Sequence, residues 1–235
     1  MSEICQQPLF GIFITLLFFY LAQLVGRRFK FVLFNPVLLS VVSIICFLIL
    51  FEIDFETYNI GGQYLGFLLG PTVVALGVLF YEKYEQIKQN MLPFVVAVVA
   101  GGAMSIVSVC VILLFLGAPE FILKSLAPKS VTTPIALEIA KIIGGTPYIT
   151  TGIVIAVGIF GNAFGPAILR SLRVNNENAI GAALGTAAHG IGTARALELG
   201  DLPGAYAGLA MCINGLLTAI ITPDIVNLAM IFYTK

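Results

Sequence analysis

Long apolar runs separated by short polar breaks dominate the chain. A bilayer core about 30 Å thick needs about 20 apolar residues per helix. Runs near that length fall at 8–25, 34–51, 64–81, 92–116, 148–169 and 204–232, and each is expected to span a membrane. Two further segments, 129–146 and 178–200, are apolar on average but carry charges, glycines and helix breakers. The pattern therefore predicts an all-α polytopic membrane protein with about six full spans plus two broken or re-entrant helical segments. Pro71 and Pro223 fall inside apolar runs and should kink their helices. An N-terminal three-span scaffold (1–91) would precede a core of two broken-helix units, about 129–169 and 178–233, within 92–235.

Charge sets the expected orientation. Arg27, Arg28 and Lys30 follow the first run, Lys83 and Lys88 the third, and Arg170 and Arg173 the run 148–169. Placed inside by the positive-inside rule, these loops put the N-terminus outside. Loop 117–129 then lies outside despite Lys124 and Lys129, the weak point of the count. With 148–169 as one full span, neither 129–146 nor 178–200 can cross completely. Segment 129–146 must dip in and return or be half of a broken helix pair, and 178–200 is a second dip from the opposite face.

The two dipping segments also look alike. At an offset of 60 residues, Thr133-Pro-Ile-Ala-Leu-Glu138-Ile meets Thr193-Ala-Arg-Ala-Leu-Glu198-Leu, and Lys129 meets His189. Short apolar matches also arise by chance. A true match would make the units an inverted repeat, the construction of many secondary transporters. Broken helices are tolerated at membrane depth only where protein or a water-filled cavity satisfies the freed backbone groups.

Composition agrees with the membrane reading and removes other classes. The chain is 59% hydrophobic and 10% charged, with mean hydropathy +1.04; soluble domains are near 25% charged. Zero formal net charge gives nucleic-acid binding no electrostatic support. The first apolar run is too long for a signal-peptide core and lacks a basic leader or small-residue cleavage site. Cys46, Cys110 and Cys212 lie in apolar runs and read as small buried hydrophobes; Cys5 precedes them, and the four show no pairing pattern. One histidine and no Cys-x-x-Cys leave a structural zinc site unsupported. No nucleophile–base pair, phosphate-binding loop or dinucleotide fingerprint points to an enzyme, and no cofactor is expected beyond a coupling H+ or Na+.

In "PKSVTTPIA", Ser130, Thr132 or Thr133 can cap a helix that carries Pro134 in its first turn. Such an N-terminus attracts an anion when buried; the plain alternative is a helix start at the interface. In "GTAAHGIGTARALE", Gly190 and Gly192 allow a bend or close approach, Thr193 can cap, and Arg195 follows in the first turn. Arg195 either pairs with Glu198 three residues on or forks onto a substrate carboxylate. His189 carries a coupling proton, donates to a substrate oxygen, or is a hydrogen-bonded interior histidine. Glu138 and Glu198 are candidates for proton or cation coupling, with a Glu138–Lys141 pair as the alternative. Asn162 and Asn214, each inside a long run, either line the path or bond between helices. Gly101-Gly102 reads as close helix packing.

The motifs "PKSVTTPIA", "GTAAHGIGTARALE", "LGPTVVALGVLFYE" and "FNPVLLS" closely resemble the CidB/LrgB family of bacterial inner-membrane proteins, over nearly the whole chain. The family usually reads Ser-His where this chain has Ala188-His189, which weakens any role for a hydroxyl there. The resemblance implies control of murein hydrolase activity and autolysis, with holin/antiholin-like partners of the CidA/LrgA type. It also implies transport of small carboxylates, since relatives move pyruvate, and a plastidial relative carries glycolate and glycerate. Two functions are therefore expected: a secondary transporter of small 2-oxo or 2-hydroxy acids, or a holin-like pore or hydrolase exporter. A bundle this small encloses no path for a folded hydrolase without wide oligomerisation, so transport is preferred. The expected surroundings are the lipid bilayer, a small carboxylate, a CidA/LrgA-type partner and a homodimer, the commonest closed assembly.

Overall fold

A computed structural model describes residues 6–29 and 34–232. Lys30, counted above in the first basic loop, and Cys5 lie outside the described residues. Among the described residues all regular structure is helical: α1 Pro8–Arg28, α2 Pro36–Leu50, α3 Phe55–Phe67, α4 Leu69–Glu82, α5 Tyr84–Lys88, α6 Met91–Phe115, α7 Glu120–Leu126, α8 Thr133–Ile143, α9 Pro147–Ser171, α10 Glu177–Leu199 and α11 Asp201–Met230. Two compact units divide between Val78 and Leu79.

Four helices, α1, α6, α9 and α11, are long and apolar enough to cross a membrane, which fits a multi-pass membrane protein. The other two expected spans differ from the sequence pattern. Run 34–51 becomes α2, only 15 residues, or about 22 Å at 1.5 Å per residue. Its start is sharp because the Asn35 side chain accepts from the Val37 and Leu38 amides, with Pro36 at the first helical position. Run 64–81 is divided between α3 and α4 by a turn at Leu68. Pro71 lacks the amide that would bond the carbonyl four residues earlier, so the helical ladder is interrupted one turn upstream. Leu68 keeps right-handed dihedrals (φ −68°, ψ −11°) and bonds back to the Leu65 carbonyl, a local tightening of the helix beside the expected kink.

In the first unit α1 packs against α2 and α3. Gly11 and Gly61 let two backbones touch, since a Cβ on either would strike the other helix. Thr15 and Tyr58 share a 2.7 Å hydroxyl bond beside this crossing, and Phe18 meets Phe47 at 5.5 Å.

In the second unit α6 and α11 run side by side in the same direction. Phe94 and Val98 pack with Tyr206 and Ala210 near their starts, and Ile106, Val109 and Leu113 with Val226 and Ala229 near their ends. The buried positions of α6 (Phe94, Val98, Gly102, Ile106, Val109, Leu113) recur every three or four residues, one helical face. The opposite face is apolar and uncovered by protein, with Leu92 75% and Phe115 89% exposed. Such a surface suits lipid. Of the three cysteines expected to be buried, only Cys110 is; Cys46 and Cys212 lie on exposed helix faces, where lipid would supply the apolar surroundings that protein does not.

Candidate functional site

Two hairpins penetrate the second unit from opposite ends of α9. The first is built from α7, the loop 127–132 and α8. Its two limbs stand together at the start of α9: the Thr146 amide donates to the Ser125 hydroxyl at 2.7 Å, and the Thr150 hydroxyl donates to the Ser125 carbonyl at 3.0 Å. The returning limb stops at Gly144, whose φ of 77° is left-handed, and the Gly145 amide closes back on the Ala140 carbonyl at 2.7 Å. The turning point is Ser130–Val131, where Val131 packs with Ala136, Ile139 and Val154.

The second hairpin is α10 itself. Helical geometry fails at Ala188 and His189 (φ 44°, ψ −135°), and 190–199 folds back along 177–187. Two contacts establish the reversal. Ala196 packs with Leu184, twelve residues apart, which a straight helix would separate by about 18 Å. Gly192 lies so close to the Leu184 carbonyl that a Cβ would collide. The limbs meet α9 toward its end, since Leu169 packs with Leu184 and Ile180, while the turn lies at Gly158, whose Cβ would strike His189 and Ile191.

Asn214 ties the two turns together. Its amide donates to the Thr186 carbonyl at 3.0 Å and to the Ser130 carbonyl at 3.3 Å. It is 1% exposed and sits near the middle of α11, about 20 Å from Asp201 along the helix. Gly102 on α6 abuts its amide oxygen, and no side chain would fit there. On α9, Asn162 donates to the Ile191 carbonyl at 2.9 Å. Of these three carbonyls, that of Thr186 ends the first limb of α10, where the break removes its intrahelical partner.

The polar side chains at the turns differ. Lys129 donates to the Ser105 hydroxyl at 2.7 Å and the Ser130 hydroxyl at 3.2 Å, and the two hydroxyls lie 2.6 Å apart. The spacing arguments above counted Lys129 only as a loop charge; its match to His189 was the one signal that placed it at a turn. His189 bonds through Nε2 to the Val154 carbonyl at 3.0 Å. Facing a carbonyl, that nitrogen must carry hydrogen, which leaves Nδ1 as the acceptor of the neutral ring.

The remaining candidates fall as follows. Thr132 occupies the cap position of α8, but its side chain accepts no bond from the first turn. Thr132 and Thr133 are half-buried and Ser130 buried. The α10 bend lies at Ala188–His189, not at Gly190 or Gly192, which are helical. Thr193 is no cap: helix resumes at Gly190, so its hydroxyl bonds back to the His189 carbonyl at 2.9 Å. Arg195 Nη1 is bonded to Glu198, while its buried Nε has no partner. Glu138 pairs with Lys141 at 2.6 Å on an exposed face.

Long apolar helices around tied, interrupted ones fit a multi-pass helical membrane protein. The sequence model of the LrgB-like family matches residues 15–228. The chain belongs to that family. It is 34% identical over 217 residues to the antiholin-like protein LrgB of Bacillus mycoides (strain KBAB4), covering 92% of this chain and 94% of the relative. It is 33% identical to the protein of the same name in Bacillus cereus (strain B4264), with the same coverage. It is also 33% identical to the uncharacterized protein YwbG of Bacillus subtilis (strain 168), over 92% of this chain and 96% of that one. No solved structure matches the chain.

Proposed function

We propose that this protein is a secondary transporter of small carboxylates such as pyruvate, glycolate or glycerate in the bacterial inner membrane. The observation that carries the reading is the pair of hairpins held at their turns by Asn214. Interrupted helices that meet at mid-depth from opposite faces are the usual frame of a transporter binding site. The hairpins then form an inverted repeat, and each dips from one face without crossing. Six spans complete the topology if α2 and the α3–α4 pair each cross, with the N-terminus outside.

In this reading the carboxylate binds between the turns. The open first turn of α8 beyond Thr132 and Thr133 offers backbone amides. Ser130, Gly190, Gly192 and Thr193 frame the turns. Arg195 offers its unpartnered Nε, while Glu198 balances its charge. His189 and Glu198 are candidates to carry the coupling proton. Glu138, exposed and paired with Lys141, is the weakest of the coupling candidates. Control of murein hydrolases and autolysis, with a CidA/LrgA-type partner, follows indirectly from carboxylate or proton balance.

A second reading, an antiholin-like component of a pore, rests on the names of the relatives. Uptake of labelled pyruvate and glycolate into proteoliposomes separates the two. Saturable uptake without release of an entrapped dye supports transport, and Arg195→Ala should reduce it. Dye release with no saturable uptake replaces transport by the pore.

A further inference from the structure

We infer that Lys129, the one cation at the meeting of the two turns without a carboxylate partner among the described residues, restricts the site to monocarboxylates, excluding dicarboxylates and phosphate esters. This rests on the transport reading above and names the charge and substrate class for that site.

The position of Lys129 is the first argument. Its partner Ser105 lies 14 residues into a 25-residue helix, about 21 Å from one end and 15 Å from the other. An ionisable side chain at that depth is costly and normally faces a partner or pathway. Ser130 and Ser105 hold two of its three ammonium hydrogens. Among the described residues no partner takes the third, and the side chain is half-buried.

The second argument is the absence of a counter-ion. Elsewhere in this unit Lys83 pairs with Asp201, Lys124 with Glu120, Lys141 with Glu138 and Arg195 with Glu198, while Lys88, Arg170 and Arg173, which have no carboxylate partner among the described residues, are exposed. Among the described residues no carboxylate pairs with Lys129. Serine hydroxyls solvate the ammonium but do not neutralise it. A bound carboxylate would do so, taking the open hydrogen in a charge-assisted bond.

The third argument is stoichiometry. Around the turns the neutral groups are the Asn214 amide, the Thr186 and Ser130 carbonyls and the serine hydroxyls. With the His189 ring neutral, one net positive charge balances one carboxylate. A dianion would leave a second buried negative charge without a partner, the arrangement that most penalises a wrong ligand. The serine pair is suited to a neighbouring 2-oxo or 2-hydroxy oxygen, because each hydroxyl can donate as well as accept.

The test uses the full-length protein in proteoliposomes, with labelled pyruvate uptake competed by acetate, lactate, malonate and phosphoglycolate. The expected result is competition by the monoanions and none by the dianions. Lys129→Met should lower uptake by about 100-fold, while Lys129→Arg, which keeps the charge, retains saturable uptake with a raised KM. Ser105→Ala should raise KM by about 10-fold with little change in kcat, and it decides the matter if Lys129→Met fails to purify as folded protein. Wild-type uptake with Lys129→Met within twofold of it, equal competition by malonate, or an unchanged KM in Ser105→Ala overturns the inference and leaves transport standing. No wild-type uptake of any monocarboxylate overturns the transport reading itself.

Discussion

The two turns solve one problem in different ways. The first spreads its reversal over 127–132, with no left-handed residue in it, and fills the turn with Lys129, Ser130 and their hydroxyl partner Ser105. The second reverses in two residues, forces His189 to a φ of 44°, and relies on small residues. Gly185 lies against the Ala207 backbone and Gly161 against Ala188. Both turns are buried, but the first is held by hydrogen bonds among polar side chains and the second by close contact of small residues. The difference teaches that a helix reversal inside an apolar bundle can be stabilised either by internal polar partners or by backbone-to-backbone packing.

The comparison breaks outright if either hairpin is in truth a crossing helix, and this has the largest expected effect because it is all-or-none. Single cysteines replace Glu120, Asn175 and Asp201 in turn, in a background lacking the four native cysteines. A membrane-impermeant thiol reagent should label Asn175→Cys and Asp201→Cys from one face and Glu120→Cys from the other. Labelling of positions 175 and 201 from opposite faces would make α10 a span and abolish the second hairpin.

The packing difference comes next. A Cβ at Gly185 would press on the Ala207 carbonyl and Cα, which are backbone atoms and cannot swing aside. Gly185→Val should destabilise the purified protein by about 3 kcal/mol or prevent its accumulation, as overpacking does. Ser130→Ala, in the broad turn, should lower thermal stability by only about 1 kcal/mol. Equal losses for the two would remove the distinction between a turn held by backbone packing and one held by hydrogen bonds.

Asn214 belongs to both turns and measures how strongly they are joined. Asn214→Leu leaves the Ser130 and Thr186 carbonyls without that donor, at an expected loss of about 1–3 kcal/mol in thermal unfolding. In the double variant with Ser130→Ala the losses should add to less than their sum, since both act on the first turn. Strict additivity would show that the amide serves α10 alone.

How much of this was legible in the sequence depends on the kind of signal. Four of the long runs were readable because twenty apolar residues in a row have few other uses, and the breakers in 129–146 and 178–200 marked segments where helices are short or bent. Run 64–81 misled because hydropathy ignores a missing amide, and Pro71 acts one turn upstream of itself. In the second segment Gly190 and Gly192 drew the bend toward themselves, yet it falls on Ala188–His189. Composition reports which residues tolerate a bend, while tertiary packing against Gly158 and Gly161 decides where one is imposed. Asn214 was visible only as a polar residue within an apolar run. That it reaches two turns, 28 and 84 residues away, is a long-range fact that no local pattern contains.

The smallest expected effect is also the most specific to the tight turn. A side chain at φ 44° and ψ −135° meets its own backbone, and glycine avoids this penalty of about 1–2 kcal/mol. Replacing His189 by alanine and by glycine removes the same bond to Val154, so the difference between the two variants isolates the backbone. Glycine would be worse than alanine by about 1 kcal/mol in an ordinary helix. Here the order should reverse, with His189→Gly more stable than His189→Ala by about 1 kcal/mol in thermal unfolding. In the broad turn, which holds no left-handed residue, Ser130→Gly should be no more stable than Ser130→Ala. If alanine is the better residue at both positions, position 189 lies in continuous helix and the two turns do not differ in the way their contacts require.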